Sequence, residues 1–221
     1  MQAVILAAGK GARLRPLTHK TPKPLIAVGN KALIERVLEA LPDNIDKFFV
    51  VVNYLREQII DHLGTEWNNI PIRYVTQEPL SGTAGALWLL KDKLKEKFLV
   101  VNSDDLYQKQ DLEKLVSHDQ AMLVFPVDRE LNAAAQINDQ NQFLRLGPGS
   151  LAVCGAYVLD TNIFKIDPVE IQVSKYREFG LPQTLEILAK TSVIQTVQAT
   201  RWQQVGTHEQ LDTANKLFSK N

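Results

Sequence analysis

The chain has 221 residues, 45% apolar and 23% charged, which suits one large domain with a sizeable buried core. Its 25 Lys and Arg are balanced by 25 Asp and Glu, whereas general binders of nucleic acid or anionic membrane carry a basic excess. No apolar run approaches the roughly 20 residues of a membrane-spanning helix, and the opening AVILAAG lacks the basic segment and length of a secretory leader, so a cytoplasmic protein is expected.

The first apolar run, AVILAA at 3–8, predicts a strand. It opens into AAGKGARLRPLTHKTPKPL at 7–25, which gathers Lys10, Arg13, Arg15, Lys20 and Lys23. Pro16, Pro22 and Pro24 exclude a regular helix there. In an open α/β sheet, ligands bind beyond the carboxyl ends of the strands. A cationic loop at such an end, in a chain without net charge, points to a small anion. Gly9 and Gly11 let backbone N–H groups approach a phosphate, and Arg13 and Lys23 can neutralise it. The spacing is wrong for a P-loop, and Leu14 stands where a dinucleotide fingerprint needs its last glycine. Taken alone, the Gly-x-Gly step is also what a tight turn requires.

Further along, helical spacing over 30–42 stops at Pro42, and a strand follows at 47–53. A helix at 55–64 closes on Gly64, with a strand at 72–77, a helix at 82–95 and a strand at 97–104. A helix at 110–119 and a strand at 121–127 come next. The polar stretch from Asp128 to Gly149 reads as a hairpin-bearing insert or a flexible loop. LAVCGAYVL at 151–159 is a buried strand. Its Cys154, the only cysteine, has no disulfide partner and reads as a structural thiol. Residues 160–182 are irregular, followed by a helix at 184–191, a strand at 192–199 and a helix at 207–220. Alternating strands and helices imply an α/β fold: a doubly wound, mostly parallel sheet with right-handed crossovers.

LAAGKGARLRPLTHKTPKPL at 6–25 resembles the signature of the sugar-1-phosphate nucleotidyltransferases. Four other segments are similar to that family at matching places. QEPLSGTAGAL (77–87) resembles its base-binding segment, and LVVNSDDLY (99–107) its metal-binding strand end. CGAYVL (154–159) resembles the strand lining its sugar pocket, and WQQVGTHEQLDTAN (202–215) its closing Trp-x-Asp-x-Gly-Thr segment. The resemblance implies a Rossmann-like core with a small sugar-binding subregion. It implies one domain over 1–221, nucleotide-binding to about 127 and sugar-binding and closing from about 128. The implied reaction joins an NTP and a sugar 1-phosphate to give NDP-sugar and pyrophosphate, with Mg²⁺ as cofactor.

By that resemblance Arg13 holds the leaving pyrophosphate, and Lys23 reaches the reacting phosphates from its Pro-flanked turn. Ala8 and Gly9 face base or ribose, with Gly11 beside them. Gln77 reads a base edge, and Gly82 lets backbone approach the base. Asp104 holds Mg²⁺. Asp105, next along an extended strand end, is expected to point the other way, toward a supporting role or solvent. Gly155 belongs to the sugar wall.

Two departures stand out. The family's Glu-Lys-Pro is missing between Asp128 and Ser150; SKYREFGLPQ at 174–183 offers Lys175 or Arg177 for the sugar phosphate and Glu178 for a hydroxyl. Gln204 occupies the place of a second metal aspartate. A cytidylyltransferase for an alcohol phosphate such as phosphocholine, and a non-catalytic nucleotide-sugar sensor, are the alternatives.

Overall fold

A computed structural model describes residues 1–173 and 176–218. The first half runs β1 (Gln2–Ala7), β2 (Ala27–Val28), β3 (Lys31–Ala32), α1 (Leu33–Ala40), β4 (Lys47–Val52), α2 (Arg56–Leu63), β5 (Glu66–Trp67), β6 (Ile70–Thr76) and α3 (Gly82–Trp88). Then come β7 (Lys97–Asn102), β8 (Asp105–Leu106), α4 (Lys109–Val116), β9 (Ala121–Ile137) and β10 (Phe143–Asp160). The chain finishes with β11 (Glu170–Val173), β12 (Tyr176–Phe179), α5 (Leu181–Leu188), β13 (Gln195–Gln198), β14 (Gln203–Gln204) and α6 (His208–Phe218).

Eight strands form the main sheet, in the order β13-β9-β10-β7-β1-β4-β6-β5. β7, β1, β4 and β6 are mutually parallel, while β10 runs antiparallel to both β7 and β9. β1, β4 and β7 are apolar between their polar ends because both their faces are covered, whereas β6, next to the short edge strand β5, is mixed and half-exposed. Ala3, Ile5 and Ala7 of β1 belong to the cluster under α1 and α4, while Val4, Leu6 and Ala8 pack with Leu87 and Leu185 on the other face. Leu99 and Val101 against Phe98 and Val100 repeat the alternation in β7. A third small core joins Leu14 and Ile26 of the opening loop to Leu106, Val205 and Leu211. That core ties the loop to the closing segment.

The polar stretch 128–149 is the hairpin alternative. β9 and β10 extend through it, and Asn138 turns the chain by accepting from the backbone N–H of Gln140 and Gln142 at 3.0 and 2.9 Å. Residues 160–182 are more ordered than their composition suggests, holding a 3₁₀ turn and the β11–β12 pair. The helix expected over 82–95 ends at Trp88 and continues only as turns. Cys154 is buried, and burial raises its thiol pKa, as a structural thiol requires. No helix among the described residues is long and apolar enough to cross a membrane.

The parallel strands end along one edge, so Gly9, Gln77 and Asp104 emerge side by side although about 70 and 30 residues separate them.

Candidate active site

The opening loop is three single 3₁₀ turns, Ala12–Leu14, Leu17–His19 and Lys23–Leu25. Gly11 makes the first bend at φ +62°, a region costly for other L-residues. A Cβ there would also stand 2.8 Å from Thr18 Cγ2 and 3.0 Å from Lys23 Cβ. Thr18 Oγ1 donates to the Gly11 carbonyl at 2.9 Å, so the loop is folded onto itself. Leu14 anchors it in the third core. Gly9 differs: nothing lies within 4 Å of where its Cβ would be. Lys23, between Pro22 and Pro24, is only 8% exposed, and its ammonium pairs with Asp104 Oδ2.

This loop forms one wall of a cavity of about 670 Å³. Gln77, Gly82 and Asp104 supply the floor, and Tyr176, Arg177 and Glu178 of β12 the far wall. A second cavity, of about 270 Å³, adjoins it and shares Thr83, Asn102 and Glu178. Asp105, Gly155, Tyr157, Gln183 and Gln204 line this smaller space. Together they offer a larger compartment with Lys10 and Lys23 beside a smaller one that mixes hydrogen-bonding groups with Val153, Ile171 and Phe179 and has, among described residues, no Lys or Arg.

Asp105 points inward, which removes the solvent-facing alternative. It is 1% exposed, on the short strand β8 that pairs with β14. Asp105 Oδ2 accepts from Asn102 Nδ2 at 3.2 Å and lies 3.4 Å from the Tyr107 hydroxyl, while Oδ1 has no partner. Burial first, and the adjacent Asp104 charge second, push its carboxyl well above the usual range. Gln204 pairs opposite Asp105 in the β8–β14 register, and its Oε1 accepts from Gln210 Nε2 at 3.4 Å.

Ala8, Gly9, Gly11, Lys23, Gln77, Gly82 and Asp104 all line the larger cavity, and Gly155 the smaller. Glu178 faces both. Arg13 is not in either lining. Its guanidinium lies against Gly206, where a Cβ would meet Nη2 at 2.8 Å. Arg177 lines the larger space and reaches Glu170 at 3.4 Å. Lys175 lies outside the described residues. Gln77 is 3% exposed, and its amide nitrogen already donates to Ser81 Oγ at 3.0 Å and the Gly82 carbonyl at 2.9 Å. Its donor half is therefore used inside the protein. Gly82, at φ +81°, has no side chain because β12 occupies that space: a Cβ would sit 2.6 Å from the Phe179 carbonyl oxygen.

Sequence reasoning missed Asn102, Thr83 and Tyr107. Asn102 fills the position facing Gly155, whose Cβ would fall 2.0 Å from Asn102 Nδ2. Thr83 Oγ1 accepts from Leu181 N–H at 3.0 Å, and the Tyr107 hydroxyl lies 3.1 Å from the Cys154 carbonyl. Asn102 and Tyr107 stand inside LVVNSDDLY, where neither carries a signal as distinct as the acidic pair.

The donor set bears on a divalent ion. Among the described residues no group of three or more His, Cys, Asp or Glu could hold one. Mg²⁺ commonly binds through one or two carboxylates plus substrate phosphates and water. Asp104, 28% exposed at its side chain on the cavity floor, fits that pattern.

Over 226 residues the chain is 31% identical to the bifunctional protein GlmU of Methanocaldococcus jannaschii, covering 99% of this chain and 54% of that protein. It thus spans about half the length of such relatives. It is 30% identical to the UTP–glucose-1-phosphate uridylyltransferase AglF of Haloferax volcanii, covering 100% of this chain and 97% of that one. In fold it is similar to a Bacillus anthracis structure assigned as a glucose-1-phosphate thymidylyltransferase, with TM-score 0.82, 23% identity and coverage of 100% and 96%. The inositol-1-phosphate CTP transferase of T. maritima has TM-score 0.79 at 19% identity, covering 99% and 95%. The sequence profile of the nucleotidyl transferases matches residues 2–221, and the chain belongs to that family.

Proposed function

We propose that the chain is a sugar-1-phosphate nucleotidyltransferase, acting on an NTP and a sugar 1-phosphate to give NDP-sugar and pyrophosphate. The observation that carries this reading is the pair of adjoining cavities, with Lys23 and Asp104 on the larger and Asn102, Thr83 and Glu178 common to both. A nucleotide fits the cationic compartment and a sugar the smaller one, so their phosphates meet near Asp104. We read the chain as one domain, since both halves contribute strands to one sheet, and assign it to the cytoplasm, where such substrates are made.

On this reading an oxygen of the sugar phosphate attacks the α-phosphorus in line, a P–O bond forms, and the bond to pyrophosphate breaks. No protein nucleophile is needed; positioning and charge stabilisation carry the step. Lys23 stabilises charge on the reacting phosphates. Arg13, which lies against Gly206 outside the cavity lining, would swing from there to receive the pyrophosphate end. Gly9 leaves room for the nucleoside, and Gln77 keeps its carbonyl for a base donor while its nitrogen braces the Ser81–Gly82 turn. Gly155 and Glu178 meet the sugar. A bound Mg²⁺, held by Asp104 and substrate phosphates, would neutralise charge on the triphosphate.

Pyrophosphate release with a panel of NTPs against hexose 1-phosphates, hexosamine 1-phosphates and alcohol phosphates tests the proposal. Turnover with at least one sugar 1-phosphate is expected. Turnover only with CTP and an alcohol phosphate would replace it with the cytidylyltransferase alternative. Tight binding without turnover would favour a sensor.

A further inference from the structure

Asn102 ends β7 where the two cavities join, two residues before Asp104. Its amide is held by one end. Nδ2 donates to Asp105 Oδ2 at 3.2 Å, beside Gly155, which stands at φ +68° and whose Cβ would collide with the amide. The other end is open. Among the described residues no group donates to Asn102 Oδ1, and it is not one of the enclosed atoms without a partner, so it faces the cavities that Asn102 lines. An amide has nearly the same shape either way round, so its neighbours decide which end is presented. Asp105 decides it here. Buried on β8, it keeps an acceptor lone pair on Oδ2 whether Oδ1 is charged or protonated. The Asn102 nitrogen therefore turns inward and its oxygen outward.

The chemistry of a sugar 1-phosphate narrows what can meet that oxygen. C1 carries the phosphate and is flanked by the ring oxygen and by C2. With the phosphate near Asp104, these two neighbours of C1 lie nearest Asn102. The ring oxygen only accepts, so it cannot pair with an amide oxygen, whereas a hydroxyl or N–H on C2 can. We propose, building on the nucleotidyltransferase reading, that Asn102 reads C2 of the sugar by accepting a hydrogen bond from its hydroxyl or N–H, and that Asp105 is the positioning residue that keeps the amide oxygen outward. A sugar lacking that donor sets C–H groups against Asn102 Oδ1 and shuts it off from water, which disfavours the complex.

The test measures kcat/KM by pyrophosphate release for glucose 1-phosphate and for 2-deoxyglucose 1-phosphate, with one NTP. If a hexosamine 1-phosphate or another hexose 1-phosphate is the better substrate, it is compared with the 2-deoxyhexose 1-phosphate of its own series. The wild type should prefer the sugar with the C2 donor by about tenfold or more. Asn102→Leu, close in size and without an acceptor, should lower that ratio about tenfold. Asp105→Leu should lower it too, because the amide loses its preferred end, whereas Asp105→Asn keeps an acceptor and should keep the ratio. A merely structural role for either residue would slow both sugars alike and leave the ratio unchanged. No preference in the wild type, or a wild-type ratio in Asn102→Leu, overturns the proposal. So does an Asn102→Leu effect confined to the ratio between an NTP and its 2′-deoxy form, which would put Asn102 on the ribose. A wild-type ratio in Asp105→Leu overturns the positioning role. Should either leucine variant fail to fold, Asn102→Ala and Asp105→Ala decide by the same ratio. Absence of turnover with every sugar 1-phosphate overturns the proposed function and this inference with it, whereas turnover with an unchanged ratio overturns this inference alone.

Discussion

The two walls of the larger cavity are built in opposite ways. The opening-loop wall is local: Thr18 closes onto Gly11 seven residues away, and Gly11 packs on Lys23 in the same stretch. The β12 wall is remote. Phe179 N–H donates to the Ser81 carbonyl, and Leu181 N–H to Thr83 Oγ1, 98 residues away in sequence. The local wall presents charge, in Lys10 and Lys23; the remote one mixes Tyr176, Arg177 and Glu178. On the proposed function, charge chemistry would ride on short-range turns and sugar recognition on long-range docking.

Substitutions on each side should therefore fail differently. The largest effect belongs to Lys23→Ala, which removes a preorganised charge from the reacting phosphates. Turnover measured as pyrophosphate release should fall about 10²–10³-fold, with a folded circular dichroism spectrum. Near-wild-type turnover would show that the local wall does not carry the chemistry.

Gly82→Ala attacks the remote wall. The new methyl meets the Phe179 carbonyl oxygen at 2.6 Å, and the residue would have to hold φ +81°. A stability loss of about 2–4 kcal/mol in urea unfolding is expected, with KM for the sugar 1-phosphate rising more than KM for the NTP. Gly9→Ala sharpens the contrast. Its methyl enters open space, so stability should stay within about 0.5 kcal/mol. Nucleotide affinity should weaken about tenfold because the methyl takes ligand room, a crowding cost of about 1–3 kcal/mol. Two glycines of one cavity would thus separate folding from binding.

The smallest effect concerns Asp105, on the lining of the smaller cavity. Its carboxyl is shifted upward in the folded protein by burial, so the unfolded chain ionises first as pH rises above the usual carboxylate range. The folded state holds the extra proton in that window, and stability falls with rising pH. Asp105→Asn removes this slope. By urea unfolding the variant should gain about 1 kcal/mol relative to wild type between pH 5 and pH 7.5. An equal loss at both pH values would mean that the Asn102 and Tyr107 contacts outweigh the buried charge.

The same division explains what the sequence could tell. Strand-forming runs were legible because covered parallel strands must be apolar along their length. Loop 9–25 was legible because its special conformations need glycine and proline locally. Residues 128–149 were legible only as a choice between hairpin and loop, since a hairpin with much of both faces in solvent has little alternation to display. Gly82 lines the cavity as expected, but the second reason for a glycine there, the nearby Phe179 carbonyl, is not legible, since no local pattern announces a neighbour 97 positions on. Gln77 was placed correctly on the cavity, but how its amide is spent depends on Ser81 and Gly82. Arg13 sits on the correct loop yet turns toward Gly206, part of the remote closing segment. Asp105 turns inward on β8, whose pairing with β14 is again a contact across the chain.

The central place of β1 has a consequence for synthesis. Its Gln2 pairs with Lys47 on one edge and with Phe98 on the other. During translation the first edge can close early, but the second stays open until β7 has left the ribosome. At about 5–20 residues per second that interval is on the order of several seconds. A nascent chain stalled before residue 97 would display an unpaired apolar strand edge, the kind of surface that invites aggregation. Within the main sheet, the strand that delivers the opening loop is thus the one that the growing chain is slowest to shelter.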